Sequence, residues 1–102
     1  MADNKKIIQE DLALLATKAV SSVEGVGQLV RVPISFAMLA DEKQNGIVIN
    51  MNKEALVFDV FINVKYGVNI PQVAFAVQEK VKKAVDYYSN VKVNIHVQGI
   101  DF

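Results

Sequence analysis

The chain has 102 residues, no cysteine, and 11 basic side chains balanced by 11 acidic ones. That length suits one domain burying about two-thirds of its unfolded surface, and 52% apolar with 22% charged residues is the balance of a globular protein and not a disordered one. Zero net charge argues against a duplex-binding domain, whose affinity rests on a basic excess, and the missing cysteines exclude disulfides, thiolate nucleophiles and the usual structural zinc sites.

At the N-terminus Lys5-Lys6 leads into Ile7-Ile8, but Glu10 and Asp11 interrupt before the apolar core of a signal peptide forms. The uncharged stretch from Val32 to Ala40 is under half of the roughly 20 residues a spanning helix needs. The expectation is a soluble, cytoplasmic chain without direct membrane insertion, any membrane contact being made through a partner. Leu12, Ala13, Ala16, Ala19, Val20 and Val23 share one face at helical spacing and predict a helix over 9–23. Glu10 and Asp11 suit its N-terminal dipole, and Gly25 its C-terminal stop. Ile7-Ile8 reads as a short strand or as the lead-in to this helix.

Over 26–40 the residues Val30, Val32, Ile34, Phe36 and Met38 alternate with Arg31, Pro33, Ser35 and Ala37. This predicts a strand in the first part, with Pro33 at an edge or bulge, and irregular structure after it; alternatively, Ser35 caps a short helix through Leu39. Residues 41–46 read as a polar loop, 47–51 as a short strand, and 52–54 as a hairpin turn. From Ala55 to Tyr66, Leu56, Phe58, Val60, Ile62, Val64 and Tyr66 face one way; Val57, Asp59, Phe61, Asn63 and Lys65 face the other. Gly67 permits a sharp turn. Asn69 reads as a helix N-cap with Gln72 as its capping-box partner, Val68 and Val73 as a hydrophobic staple, and Pro71 as a first-turn proline. Val73, Ala74, Val77, Val81, Ala84 and Tyr88 form the buried stripe, Ser89-Asn90 the stop, and 91–98 a last alternating strand. The economical fold is α/β (α+β): a two-layer sandwich in the order α-β-β-β-α-β, two helices covering one face of a three- to four-stranded mixed sheet.

Little in this pattern can perform chemistry. His96, the single histidine, falls on the polar side of the last strand, where it reads as a solvated residue with no second catalytic group near it in sequence. No catalytic, cofactor or metal site is predicted, and Gly25-Val26-Gly27 lacks the third glycine of a phosphate-binding fingerprint. Lys80, Lys82, Lys83 and Lys92 would serve a regulatory or nucleic-acid-binding alternative. However, Glu79 with Lys83 and Lys82 with Asp86 are spaced for helix ion pairs on a solvated face.

Four apolar residues stand on the wrong side. Phe75 lies about 160° round its helix from Val77, and Leu14 about 160° from Ala16. Val57 and Phe61 occupy the strand face that two helices on the other side would leave uncovered. These four form the candidate interaction surface, unless the 26–46 segment covers some of them.

Glu24-Gly25-Val26, Val64-Lys65-Tyr66-Gly67, the run Val68-Asn69-Ile70-Pro71-Gln72-Val73-Ala74, Val77-Gln78-Glu79-Lys80-Val81 and the closing Val93-Asn94-Ile95-His96-Val97-Gln98-Gly99-Ile100 together resemble one family. It is the alkaline shock protein family, the general-stress or envelope-stress proteins of Gram-positive bacteria. The resemblance covers nearly the whole chain and is strongest from Ala55 onward. It implies a non-enzymatic protein of envelope or lipid homeostasis without cofactors, which forms a homo-oligomer or binds a family paralogue, some members being held at the membrane by an anchored relative. The long charged tails of larger relatives have no counterpart in these residues, which suits a minimal member. Gly25, Gly67, Asn69 and Gly99 fall in the matching stretches as structural positions, with no catalytic residue to carry over.

Overall fold

The computed structural model describes residues 2–38, 42–44, 46–51, 55–85 and 90–102, with side chains from residue 11 onward except in 42–44. Helix α1 (Ala2–Ser21) is followed by β1 (Val26–Leu29), a one-turn helix α2 (Ile34–Ala37), β2 (Glu42–Gln44), β3 (Ile47–Met51), β4 (Leu56–Lys65), α3 (Ile70–Ala84) and β5 (Val91–Asp101). Ile7-Ile8 thus belongs to α1. The last strand runs three residues beyond the expected Gln98.

The five strands form one mixed sheet centred on β4. On one side β4 pairs antiparallel with β3 along its first half (Ile47↔Val60 to Met51↔Leu56) and with β1 along its second (Val26↔Val64 to Leu29↔Ile62). Its other side runs parallel to β5 over its whole length. Helices α1 and α3 pack on the same face of this sheet, as expected of a two-layer α+β fold. Five strands stand where three or four were expected, because 42–44, read as loop, pairs with β3. The 52–54 turn, Tyr88, Ser89 and the Lys82–Asp86 pairing lie outside the described residues.

The core follows from the two periodicities. Leu56, Phe58, Val60, Ile62 and Val64 of β4 meet Leu12, Ala13, Ala16, Ala19 and Val20 of α1 and Val73, Val77 and Val81 of α3 in one cluster. The N-terminus of α3 is built as its sequence indicated: the Asn69 Oδ1 accepts a hydrogen bond from the Gln72 backbone N–H at 3.0 Å, with proline in the first turn. Gly67, at φ 87°, turns the chain out of β4 with open space around its Cα. Gly25, at φ 99°, is constrained twice, since an added Cβ would also lie 2.7 Å from the Val73 Cγ2.

The 26–40 segment departs most from expectation. β1 ends at Leu29, and the alternation through Met38 is not a strand. The chain instead leaves the sheet after the Val30 N–H donates to the Phe61 carbonyl (3.0 Å), and Pro33 opens α2 with its carbonyl accepting from the Phe36 and Ala37 N–H groups. Proline at the N-cap gives no side-chain cap, and Ser35 sits inside the turn. Pro33 supplies the physical reason: without an N–H it breaks a ladder but can start a helix.

Candidate functional site

Two regions hold the candidate functional side chains, and β5 contributes to both. The first lies on the open face of the sheet, opposite the helices. Register places Asp59 of β4 between Val48 of β3 and Asn94 of β5, and Phe61 beside His96. Asp59, the one buried charged residue among those described (7% exposed), receives His96 Nε2 at 2.9 Å and Asn94 Nδ2 at 3.2 Å, both on Oδ1. The His96 ring stacks on Phe61, with centroids 4.5 Å apart and planes at 11°. Phe36 of α2 closes over both rings edge-on, at 5.0 Å from Phe61 and 5.2 Å from His96. A buried carboxylate is tolerated because its acceptor is satisfied twice.

Of the two readings of Phe61, outward residue or residue covered by the 26–46 segment, the second holds: it is 1% exposed, with Phe36 of the one-turn helix against it and His96 stacked on it. His96 is half-buried and partnered, not simply solvated, since the parallel register brings Asp59 alongside it from 37 positions away. Val57 is half-buried. Leu14 and Phe75 are 52% and 62% exposed, on the outer sides of α1 and α3 as their helical angles required.

Chemically, Asp59 can orient the His96 ring as a carboxylate orients the histidine of a triad. Ser35, Phe36, Asn50 and Asp59 line a hollow of about 380 Å³, but no hydroxyl donates to His96 among the described residues. No group of three or more His, Asp or Glu side chains is placed to hold a metal ion among those residues. Further along the open face Asp101 accepts from Asn63 Nδ2 (2.9 Å) and Gln28 Nε2 (3.3 Å). There β1 and β5 each carry a bulge. Gly27 sits so close to the Asp101 carboxylate that any side chain would collide with it, and Gly99 has the Asn63 Oδ1 3.1 Å from where its Cβ would stand. Gly99 is therefore a packing position.

The second region is the groove between α3 and β5, about 410 Å³, lined by Pro71, Ala74, Phe75 and Gln78 of the helix and Val93, Asn94 and Ile95 of the strand. Phe75 forms its rim. Near the end of the same strand stand exposed Ile100 (43%) and Phe102, whose ring lies 5.2 Å from that of Tyr66. Leu14 belongs elsewhere, to a hollow with Asp11, Leu15 and Lys18 on α1. The four candidate surface residues are therefore not one patch: Phe75 and Leu14 are outward on different helices, Val57 is half-covered and Phe61 is internal. Sequence reading missed Asp59 and Asn94, although both stand at open-face positions of their strands; finding them needed the parallel register.

Fold and site together define a small α+β domain with a buried, mutually bonded polar group on its open face and exposed apolar residues on α1, α2, α3 and the end of β5. The chain belongs to the alkaline shock protein 23 family, described by its cell envelope-related function, whose model matches residues 3–102. It is similar to the uncharacterized protein YqhY of Bacillus subtilis, 29% identical over 105 aligned positions that cover 95% of this chain and 76% of the relative. It is also similar to the uncharacterized protein Spy1535 of Streptococcus pyogenes serotype M6, 30% identical over 93 positions covering 87% and 72%. No solved structure matches it significantly. Among the described residues no helix is long and apolar enough to cross a membrane.

Proposed function

We propose that the chain is a non-enzymatic interaction module of a cell envelope-related process, acting in the cytoplasm through self-association or through binding a family paralogue. The observation that carries this reading is Phe75, 62% exposed on the rim of a groove beside β5; large exposed aromatics next to a groove are typical of partner contacts. The Asp59–His96 pair supports it from the other side, since its groups serve one another and the rings of Phe61 and Phe36. Contact with the membrane would come through an anchored partner.

Sedimentation of the purified chain, alone and mixed with a purified paralogue, tests the proposal. A heavier species in one sample or the other is expected, weakened by Phe75→Glu or Leu14→Lys. A monomer in both samples at high concentration overturns it. A His96→Gln chain should complement loss of the wild-type gene; failure to complement, with the fold intact, would return catalysis to consideration.

A further inference from the structure

We propose that a second copy of this chain adds to the sheet by antiparallel pairing of β5 with β5, in the register that overlaps the two strands completely. The proposal rests on the interaction-module reading and names its partner and geometry. It begins from where the backbone of β5 points. In a parallel pair, alternate residues direct their N–H and C=O toward the neighbouring strand, and the residues between direct theirs away. The Asn90 carbonyl accepts from the Leu56 N–H at 2.9 Å, so even positions up to His96 face β4. Val91, Val93, Ile95 and Val97 therefore present their backbone groups outward. Gln78 bears this out, its side-chain amide reaching from α3 to the Val93 carbonyl at 2.8 Å in the place a strand donor would take. The bulge at Gln98 reverses the phase. The Asp101 carbonyl turns in to the Tyr66 N–H (2.9 Å), leaving Ile100 outward.

This edge extends over the 11 residues of β5, contains no proline, and has no strand on its outer side among the described residues. A long open edge is a template for another strand. Its occupant is indicated by what full overlap would bring together. Allowing one extra residue for the bulge in each copy, the two-fold axis passes beside His96. Outward residues then meet outward residues: Ile95 stands across from the partner's Val97, and Val93 from the partner's Ile100. On the open face Lys92 stands across from the partner's Asp101, an opposite-charge pair made twice by symmetry. On the helix face the partner's Ile100 arrives beside Val93, which lines the groove that Phe75 rims. The two exposed apolar residues, 62% and 43% accessible in one copy, would thus cover each other twice. Edge charge commonly blocks such pairing; here the charge of Lys92 meets its complement only in this register.

The chain has no cysteine, so a single Lys65→Cys, at an exposed position of β4 opposite Asp101, carries one spin label per copy and leaves Lys92 in place. In the proposed dimer the two labels are separated by about eight residue rises and about three strand spacings, a distance of roughly 25–35 Å. Sedimentation equilibrium should show a monomer–dimer exchange and pulsed electron spin resonance should return that distance. Phe75→Glu, a surface change, should weaken the dimer at least tenfold. Ile95→Pro removes an outward donor while sparing the ladder to β4 and should do the same; if it fails to fold, Phe75→Glu decides. A dimer unmoved by Phe75→Glu, or labels far outside the range, would overturn edge pairing but leave self-association standing. A monomer that still binds a paralogue would overturn edge pairing and keep the module. A monomer that binds neither would overturn both.

Discussion

β4 belongs to two very different environments at once. Its even-numbered residues face two helices and a wholly apolar cluster, while its odd-numbered residues face a one-turn helix, three rings, a buried carboxylate and a run of amides. Phe58 and Phe61 are both almost completely buried, at 0% and 1% exposure, three positions apart on the same strand. Phe58 is held by long elements whose packing is shared across the domain. Phe61 is held by Phe36, on a segment four residues long, and by the ring of His96. Equal burial here does not mean equal support, and the two faces should respond differently to the same damage.

The largest expected effect tests the helix-covered face. Phe58→Ala should cost about 3–5 kcal/mol, because the surrounding core relaxes little around the void. Urea unfolding would show it as a lower midpoint at unchanged slope. Phe61→Ala should fall near the lower end, about 2–3 kcal/mol, since α2 can settle into the space left. If the two costs were equal, the open face would be as rigid as the core. Asp59→Ala comes next, at about 1–3 kcal/mol, from leaving His96 and Asn94 without their acceptor. Its clearest signature would be faster amide exchange around α2 than in α1 or α3. Asn69→Ala removes only a cap and should cost about 1 kcal/mol in the same unfolding experiment. Smallest of all, Lys82→Glu on the exposed side of α3 should change stability by less than about 0.5 kcal/mol, and the wild-type chain should show no retention on DNA at low salt. Salt-sensitive retention abolished by that change would revive a nucleic-acid role for Lys80, Lys82 and Lys83.

The legibility of the sequence followed the same division. The helix-covered face could be read directly: the period-two row from Leu56 to Val64 and the stripe of Val73, Val77 and Val81 identified their partners without a structure. The Asn69 cap, with Gln72 three residues on, placed the start of α3 by local hydrogen bonding alone. On the open face the alternation leaves Phe61 either outward or beneath the 26–46 segment, and only the structure shows Phe36 of that segment against it. Pro33 is compatible with both an edge strand and the start of a helical turn, so the residue by itself does not choose between them. His96 has no partner near it in sequence, because Asp59 lies on another strand.

What the sequence determined by itself was therefore the long elements α1, β4, α3 and β5, the helix-covered core and the family, because periodicity, caps and ordered motifs act over short spans of chain. The tertiary structure alone decided which open-face residues meet and which edge stays open. Asp59 and His96 touch only because two strands run parallel in one register, and among the described residues β5 pairs with no strand but β4. Such contacts depend on strand order and register, which local residue preferences do not specify.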